Sequence, residues 1–409
     1  MKQERGYPIV TVTPKGERAL KNGHPWVYGA EITRQTGAEN GGLVDVVSSG
    51  GSYLGTGFYN QRSKIAVRIL SRNANDRFDE AFWLRRLEYA VAYRRTVMGP
   101  DDFACCRLIH GEADQFPGLT VDRYGNLLSA QVLSLGMERV KSLLFNGLYR
   151  LLTEQGERID GLFERNDAAL REKEGLEQGK GWFPLGGAPI PTSPVTEIVE
   201  NGIRYGVDVE NGQKTGFFLD QKYNRRAAGR LAKGRRVLDC FTHTGSFGLN
   251  AAKGGAVHVT SVDISAGAIA MAEENARRNG LEGVMDFRTA NVFELLTQMA
   301  EEKRRDYDYI ILDPPAFTKS RQTVRNAVRG YKEINLKAMK LLPRGGYLAT
   351  CSCSHFMTDE LFRDMLRGAA ADASVCLRQI EARQQAPDHP ILWNVPETDY
   401  LKFYLFQVV

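Results

Sequence analysis

The spacing of apolar positions changes three times along the chain, and each change marks a different kind of element. Residues 1–75 carry short β-type runs, YPIVTVT, GGLVDVVSS, YLGTGFYN and KIAVRIL, separated by turn-rich stretches such as KNGHPW and SSGGS. This spacing predicts a small β-barrel rather than strand–helix alternation. From Asp79 to Met98 the period becomes helical, with Phe82, Leu84, Leu87, Ala90, Val91 and Tyr93 recurring on one face, so a helix leads out of the barrel. Between about 100 and 195, strand pairs surround the helical run ERVKSLLFNGLYRLLTEQG, with hairpin chemistry at Asp122-Arg123-Tyr124-Gly125-Asn126. The segment GGAPIPTSPVTE, with Pro189, Pro191 and Pro194, reads as a linker. Beyond about 196, apolar strands (RRVLDCF, HVTSVDI, YDYIILDPP, GYLATCS) alternate with amphipathic helices at Phe247–Lys253, Gly267–Asn279, Val292–Arg304, Val324–Leu342 and Asp359–Asp372. That rhythm implies an α/β unit with a doubly wound, mostly parallel sheet, whose ligands bind at the carboxyl ends of the strands.

Composition narrows the picture. A chain of 409 residues exceeds what one core serves, so two or three domains are expected. With 43% hydrophobic and 25% charged residues it reads as a globular protein, and no run approaches the ~18 apolar residues of a membrane span. The N-terminal MKQERGYPIVTVTPKGER has no apolar signal-type region, which points to a cytoplasmic protein without membrane partners. The six cysteines are irregularly placed without a C-x-x-C pair, and the six histidines are scattered. No metal site is therefore expected, and the thiols are free for other chemistry. Residues 1–75 hold ten Lys/Arg against five Asp/Glu, an excess equal to the net charge of +5 of the whole chain. An N-terminal module with the entire surplus is a candidate for meeting a polyanion, although a solvated face would look the same.

Four motifs then carry chemistry. Val237-Leu238-Asp239-Cys240-Phe241-Thr242-His243-Thr244-Gly245-Ser246-Phe247-Gly248 runs from a strand through a turn of small residues into a helix, as a nucleotide-type site at a first strand–helix turn requires. Asp263 ends the next strand, 24 residues after Asp239, where a nucleotide binder places the acid that accepts ribose hydroxyls. A dinucleotide and S-adenosylmethionine both fit such a pair, but the turn lacks G-x-G-x-x-G, which tells against the dinucleotide. Tyr309-Ile310-Ile311-Leu312 runs into Asp313-Pro314-Pro315-Ala316-Phe317, similar to the Asp-Pro-Pro turn of class I methyltransferases acting on planar amino groups or bases. Its prolines stiffen a turn that holds a carboxylate and a carbonyl against a flat substrate. Finally, Gly346-Tyr347-Leu348-Ala349-Thr350 ends in Cys351-Ser352-Cys353-Ser354-His355, which puts thiols beside Asp313. C5 of a pyrimidine attacks a sulfonium methyl poorly, whereas a thiolate added at C6 turns C5 into an enamine carbon that attacks readily.

With these motifs together, the chain resembles the bacterial large-subunit (23S) rRNA cytosine-C5 methyltransferase family. The resemblance spans essentially all of the chain and is carried by Gly212-Gln213-Lys214-Thr215-Gly216-Phe217-Phe218-Leu219-Asp220-Gln221, LDCFTHTGSFG, LDPPAFTKS and Ser352-Cys353-Ser354. It implies a PUA-like RNA-binding β-barrel at 1–75, a middle β-β-α-β-β domain at 76–190 and a Rossmann-like class I methyltransferase domain at 191–409. Cys353 would be the nucleophile, with Cys351 the competing candidate because Thr350-Cys351-Ser352 also fits a Thr-Cys-Ser pattern. Asp313 would bond the N3/N4 edge of cytosine. Asp239, Thr244, Gly245, Asp263, Asn291 and Asp313 would line the S-adenosyl-L-methionine site, and Asp220, Gln221 and Arg225 would close over it. Asn291 departs from the Asp common at that position, but an amide carbonyl still accepts one bond. The Asp-Pro-Pro turn lacks the second cysteine of two-cysteine enzymes, so the base that removes the C5 proton stays open. Gln213, Lys214 and Lys319 are phosphate-binding candidates, and His389 in Asp388-His389-Pro390 is a substrate contact or an ordinary loop residue.

The expected partner is large-subunit rRNA or its precursor particle, with homodimerisation left open. Two other function classes compete: an N2-guanine or N6-adenine methyltransferase, which needs Asp313 but no thiol, and a non-enzymatic RNA-binding assembly factor, which would fail to bind S-adenosylmethionine.

Overall fold

The protein is described by a computed structural model covering residues 6–318 and 320–409. Lys2, Glu4 and Arg5 of the N-terminal charge, and the phosphate candidate Lys319, lie outside the described residues.

The first segment holds strands β1 (Ile9–Val12), β2 (Trp26–Tyr28), β3 (Ile32–Thr36), β4 (Leu43–Val47), β5 (Tyr53–Tyr59) and β6 (Ile65–Ser71), with helix α1 (Pro14–Lys21) after β1. They form one sheet in the order β2-β6-β5-β4-β1-β3, antiparallel except at β1–β4. Four of these strands coincide with the β-type runs. β2 hides in a turn-rich stretch because it is three residues long, and β3 because its edge position leaves ITRQT largely exposed and polar. α1 starts where the Thr13 hydroxyl accepts from the Gly16 amide at 3.3 Å, with proline at its first position. All the described Lys/Arg of this segment except Arg68 are exposed.

Next come α2 (Glu80–Val97), β7 (Cys105–His110), β8 (Leu119–Tyr124), β9 (Leu127–Val132), α3 (Leu135–Glu154), β10 (Gly161–Asn166), α4 (Leu170–Lys173) and β11 (Gly179–Phe183), with sheet order β11-β10-β9-β8-β7. Three strands precede α3, one more than a β-β-α-β-β unit provides, because Cys105–His110 pairs with β8 outside the expected hairpin. α2 buries Arg94 completely among its apolar residues; its guanidinium clasps Asp114 at 2.6 and 2.7 Å and donates to the Arg107 and Asp388 carbonyls at 2.8 Å.

A two-stranded sheet, β12 (Val195–Glu200) and β13 (Ile203–Asp208), leads to α5 (Lys222–Arg230), β14 (Arg236–Cys240), α6 (Ser246–Lys253), β15 (His258–Asp263), α7 (Ala266–Arg278), β16 (Met285–Thr289), α8 (Val292–Glu301), β17 (Tyr309–Leu312), α9 (Val324–Leu341), β18 (Tyr347–Ser352), α10 (Asp359–Ala373), β19 (Leu377–Arg383) and β20 (Lys402–Val408). The seven-stranded sheet runs β16-β15-β14-β17-β18-β20-β19. β14 to β18 are parallel, and β20 inserts antiparallel between β18 and β19. The strand order reverses between β14 and β17, which is where a doubly wound sheet opens a crevice at its carboxyl edge.

The chain packs as two compact units, each discontinuous in sequence. One joins the segment through Ile198 with Val207–Leu219 and Pro387–Thr398; the other joins Val199–Gly206, Asp220–Ala386 and Asp399–Val409. In the second, α5 and α6 approach so closely that a Cβ on Gly254 would lie 2.0 Å from the Gly229 carbonyl oxygen. Gly254→Ala is expected to destabilise the protein by about 1–3 kcal/mol, read as a lower urea midpoint at unchanged slope. Among the described residues no helix is long and apolar enough to cross a membrane.

Candidate active site

The carboxyl ends of β14, β15, β17 and β18 gather most of the residues singled out in the sequence. After β14 the backbone turns sharply: Phe241 (φ 63°), His243 (φ 50°) and Gly245 (φ 83°) all adopt the left-handed conformation before α6 begins. Two non-glycine residues in that region mark a turn held by its surroundings. Asp239 is the main holder. Its Oδ2 accepts from the Thr242 hydroxyl and from the Gly248 amide at 2.8 Å, with Ser261 Oγ at 3.5 Å. A Cβ on Gly248 would come within 2.9 Å of that carboxylate and 2.4 Å of Ser261 Oγ. Glycine at 248 is therefore explained by packing against Asp239, not by ligand approach as the sequence suggested.

The other oxygen, Asp239 Oδ1, is buried with no hydrogen-bond partner, and so is Thr244 Oγ1. Buried polar atoms normally find partners, and two orphans on one turn mark a surface that a bound ligand completes. Burial pushes the Asp239 carboxyl up to about 7, opposed by its Thr242 and Gly248 bonds and reinforced by Asp313 and Asp263. Asp263, partly exposed, accepts from the His243 amide and the Ser265 amide at 2.9 Å each, so it both fixes the turn and faces outward. Asn291 caps α8, its Oδ1 accepting from the Phe293 amide at 3.0 Å and its Nδ2 donating to Glu294. The carbonyl that the family resemblance assigns to a ligand also caps the helix. Phe241, Phe293 and Phe317, only partly buried, have ring centroids 5.7–6.5 Å apart. They form an edge-to-face apolar cluster, with ring planes inclined by 44–74°, that the sequence reading missed, though three aromatics directly after strand-end motifs are its signal.

Asp313 sits at the end of β17. Gln221 Nε2 donates to its Oδ1 at 3.0 Å, and the Cys351 thiol also bonds it. Burial pushes its carboxyl up to about 6; Arg225 pulls against this and Asp220 adds to it. Gln221 is itself oriented by Asn224, whose amide donates to Gln221 Oε1 at 2.6 Å. Asp220 Oδ2 accepts from the Tyr400 hydroxyl at 2.7 Å. Arg225, which the family resemblance would close over a cofactor, is an interior group: it is 2% exposed and paired to Glu200 at 2.6 Å. Its guanidinium reaches Asp313 through its field.

The Ser-Cys-Ser ending of β18 has a direct physical reading. Ser352 and Ser354 are buried, the first donating to the Tyr331 hydroxyl at 3.1 Å and the second to the Thr318 carbonyl at 2.9 Å. Cys353, between these anchors, is half-buried, with its sulfur 3.9 Å from the Pro314 carbonyl of the Asp-Pro-Pro turn. Cys351 is fully buried, and burial, followed by the charge of Asp313, pushes its thiol well above the ordinary range. A thiolate is the reactive form, and it needs solvent or substrate access. Of the two thiols, Cys353 alone has that access.

The remaining candidates lie elsewhere. Gln213 and Lys214 are exposed residues of the other compact unit, Lys214 with φ 54° and its ammonium 4.8 Å from the Phe218 ring centroid. His389 also belongs to that unit; it is 2% exposed and bonds Asp388 Oδ1 at 2.9 Å, as a structural loop residue does.

Comparison with known proteins agrees with this geometry. Residues 179–407 match a family model described as S-adenosylmethionine-dependent methyltransferase, and residues 10–72 match a PUA-like domain. Proteins named ribosomal RNA large subunit methyltransferase I are similar over nearly the whole chain. That of Erwinia tasmaniensis is 39% identical over 96% of this chain and 97% of its own length. That of Shewanella denitrificans is 41% identical over 96% and 97%, and that of Escherichia coli strain UTI89 38% over 97% and 99%. Among solved structures, a protein of Streptococcus mutans assigned as a SAM-dependent methyltransferase superposes with a TM-score of 0.80 at 21% identity, covering 98% of this chain and 100% of that one.

Proposed function

The chain belongs to the ribosomal RNA large subunit methyltransferase I family, and from that membership we propose that it methylates C5 of a cytosine in large-subunit rRNA through a bond between Cys353 and C6. The observation that carries this is the accessible Cys353 thiol, held by two buried serines against the carbonyl of the Asp-Pro-Pro turn. A transfer to an exocyclic amine has no use for such a thiol.

S-adenosylmethionine supplies an electrophilic methyl group on a sulfonium. The orphaned Asp239 Oδ1 and Thr244 Oγ1, with Gly245 and Asp263, fit its polar groups, and Phe241 and Phe293 suit its flat base. Asp220 and Gln221 border the same cleft beside Asp313, with Arg225 acting from beneath and Asn291 through the start of α8. On the target base, Cys353 gives an electron pair to C6, and the C5–C6 π pair moves to C5. Asp313, with a carboxyl near pH 6, holds a proton at N3 and so draws electron density away from C6. Once C5 carries the methyl group, its hydrogen leaves as a proton and the C6–sulfur bond breaks, returning Cys353 as a thiolate.

Cofactor affinity should depend on pH with a definite sign. A cationic ligand favours ionised Asp239, whose carboxyl is held near 7 in the free protein. Below that value a proton competes, so the Kd for S-adenosylmethionine rises up to about tenfold per pH unit as pH falls from 7 to 5, and is flat above 7.5. Calorimetry across that range checks it; a Kd constant from pH 5 to 8 would remove Asp239 from the site.

Residues 1–75 are assigned to RNA binding, 76–190 to a middle domain and 191–409 to catalysis, with large-subunit rRNA or its precursor particle as partner and the cytoplasm, where that RNA is made, as location. Self-association into a homodimer is compatible with this reading and is checked by sedimentation. Bisulfite mapping of large-subunit rRNA with and without the gene tests the function: one cytosine should lose its resistance when the gene is removed. An unchanged cytosine pattern would refute it.

A further inference from the structure

Lys402 heads β20, a strand that is otherwise apolar and buried apart from Gln407. The antiparallel insertion of β20 beside β18 pairs Lys402 with Ser352, one residue before Cys353. Its side chain is 5% exposed, and its ammonium donates to the Ser354 carbonyl at 2.7 Å and to the Tyr400 carbonyl at 3.0 Å. These two carbonyls belong to the chain ends where β18 and β20 diverge, so the ammonium bridges the loop that carries Cys353 to its neighbour. Burying a lysine is costly without compensation. Two neutral carbonyls take two of its three N–H donors and supply no countercharge.

We propose that Lys402 is a positioning residue for the nucleophile, pinning the loop behind Cys353 and setting a positive charge beside the thiolate at neutral pH. Lys402 has this role only if Cys353 is the nucleophile of the proposed reaction. Among the described residues, the groups facing this ammonium are Asp399 just before β20, Asp359 at the start of α10 and Cys353 after β18. Asp359 also takes the Tyr404 hydroxyl. Burial lowers the Lys402 ammonium to about 8, against the opposing pull of Asp399, Cys353 and Asp359, so the charge persists at neutral pH. Among the described residues, the groups facing the thiol on its other sides include the Tyr331 hydroxyl of α9, whose acidity burial weakens, and the neighbouring thiol Cys351. Neither supplies positive charge. When Cys353 ionises, its proton passes to water on the open side of the half-buried thiol, and Lys402 gives up none of its own.

The test follows Cys353 by its rate of alkylation with iodoacetamide against pH, read on its peptide by mass spectrometry in the full-length protein. The wild-type midpoint should lie below the ~8.5 of a free cysteine. In Lys402→Gln, which keeps an N–H donor and loses the charge, it should rise by about one pH unit, with an unchanged Kd for S-adenosylmethionine. Lys402→Arg should stay near the wild type. A wild-type midpoint at or above that of free cysteine overturns the proposal without any variant, and so does a folded Lys402→Gln whose midpoint does not move. Alkylation is measured without RNA, so its outcome is independent of whether Cys353 proves essential for methyl transfer.

Discussion

Cys353→Ala loses methyl transfer by on the order of 10⁴-fold or more, because the covalent route disappears and the neighbouring thiol Cys351 is buried. Its Kd for S-adenosylmethionine and its melting temperature stay at the wild-type values, since Cys353 is half-buried and its contact with the Pro314 carbonyl of the Asp-Pro-Pro turn is long, at 3.9 Å. Cys351→Ala behaves in the opposite way. Cys351 is wholly buried in β18 and bonds Asp313, so its loss costs roughly 1–2 kcal/mol of stability while activity stays within a few-fold of wild type. Single-turnover transfer to rRNA, alongside thermal melts, separates the two. An active Cys353→Ala with an inactive, folded Cys351→Ala would reverse the assignment.

Asp313→Asn is expected to lower kcat by roughly 10²–10⁴-fold, the usual contribution of a positioned acid. The amide still accepts from Gln221 and can donate an N–H bond to N3, but it has no acidic proton to share with that nitrogen. The pH profile distinguishes this from lost shape. In the wild type, kcat/KM should bend near pH 6, where burial and Asp220 place the Asp313 carboxyl against the pull of Arg225. In the asparagine variant that bend is absent from whatever activity remains. A variant with the same bend would assign the ionisation to another group.

How much of this was legible in the sequence depends on what each element has to bury. β14, β15, β17 and β18, and α6 to α10, lie within a few residues of their expected positions because strands buried on both faces, alternating with amphipathic helices, leave a strong period. The edge strands β16 and β19 were not expected, since their exposed faces admit MDFRT and LRQIEAR, which read as polar loop. β20 was missed for the opposite reason: six of its seven residues are buried, and a continuous apolar run has no period to read. α5 was missed as well, because Lys222 and Arg225 look like solvent-facing charges and only the pairing of Arg225 with Glu200 explains one of them inside.

The site shows the same division. Asp239, Asp263, Asp313 and Cys353 were legible as local motifs, because each sits where a strand ends. What acts on them comes from far along the chain: Gln221 reaches Asp313 across 92 residues, and Ser354 is fixed by Thr318 36 residues away. Lys402 joins the nucleophile only through the antiparallel insertion of β20. Its one sequence signal is a lone lysine at the head of an apolar run. Ser-Cys-Ser was recognisable as a pattern, but that its serines are buried anchors follows only from their partners in three dimensions.

The central claim, that Cys353 adds to C6 of a cytosine, is tested most directly with rRNA carrying 5-fluorocytidine, in which fluorine at C5 blocks the proton loss that frees the enzyme. After incubation with S-adenosylmethionine, the protein should be trapped on the RNA, and peptide mass spectrometry should find the nucleotide on Cys353. Methylated product without a trapped complex, or a nucleotide on Cys351, would contradict it.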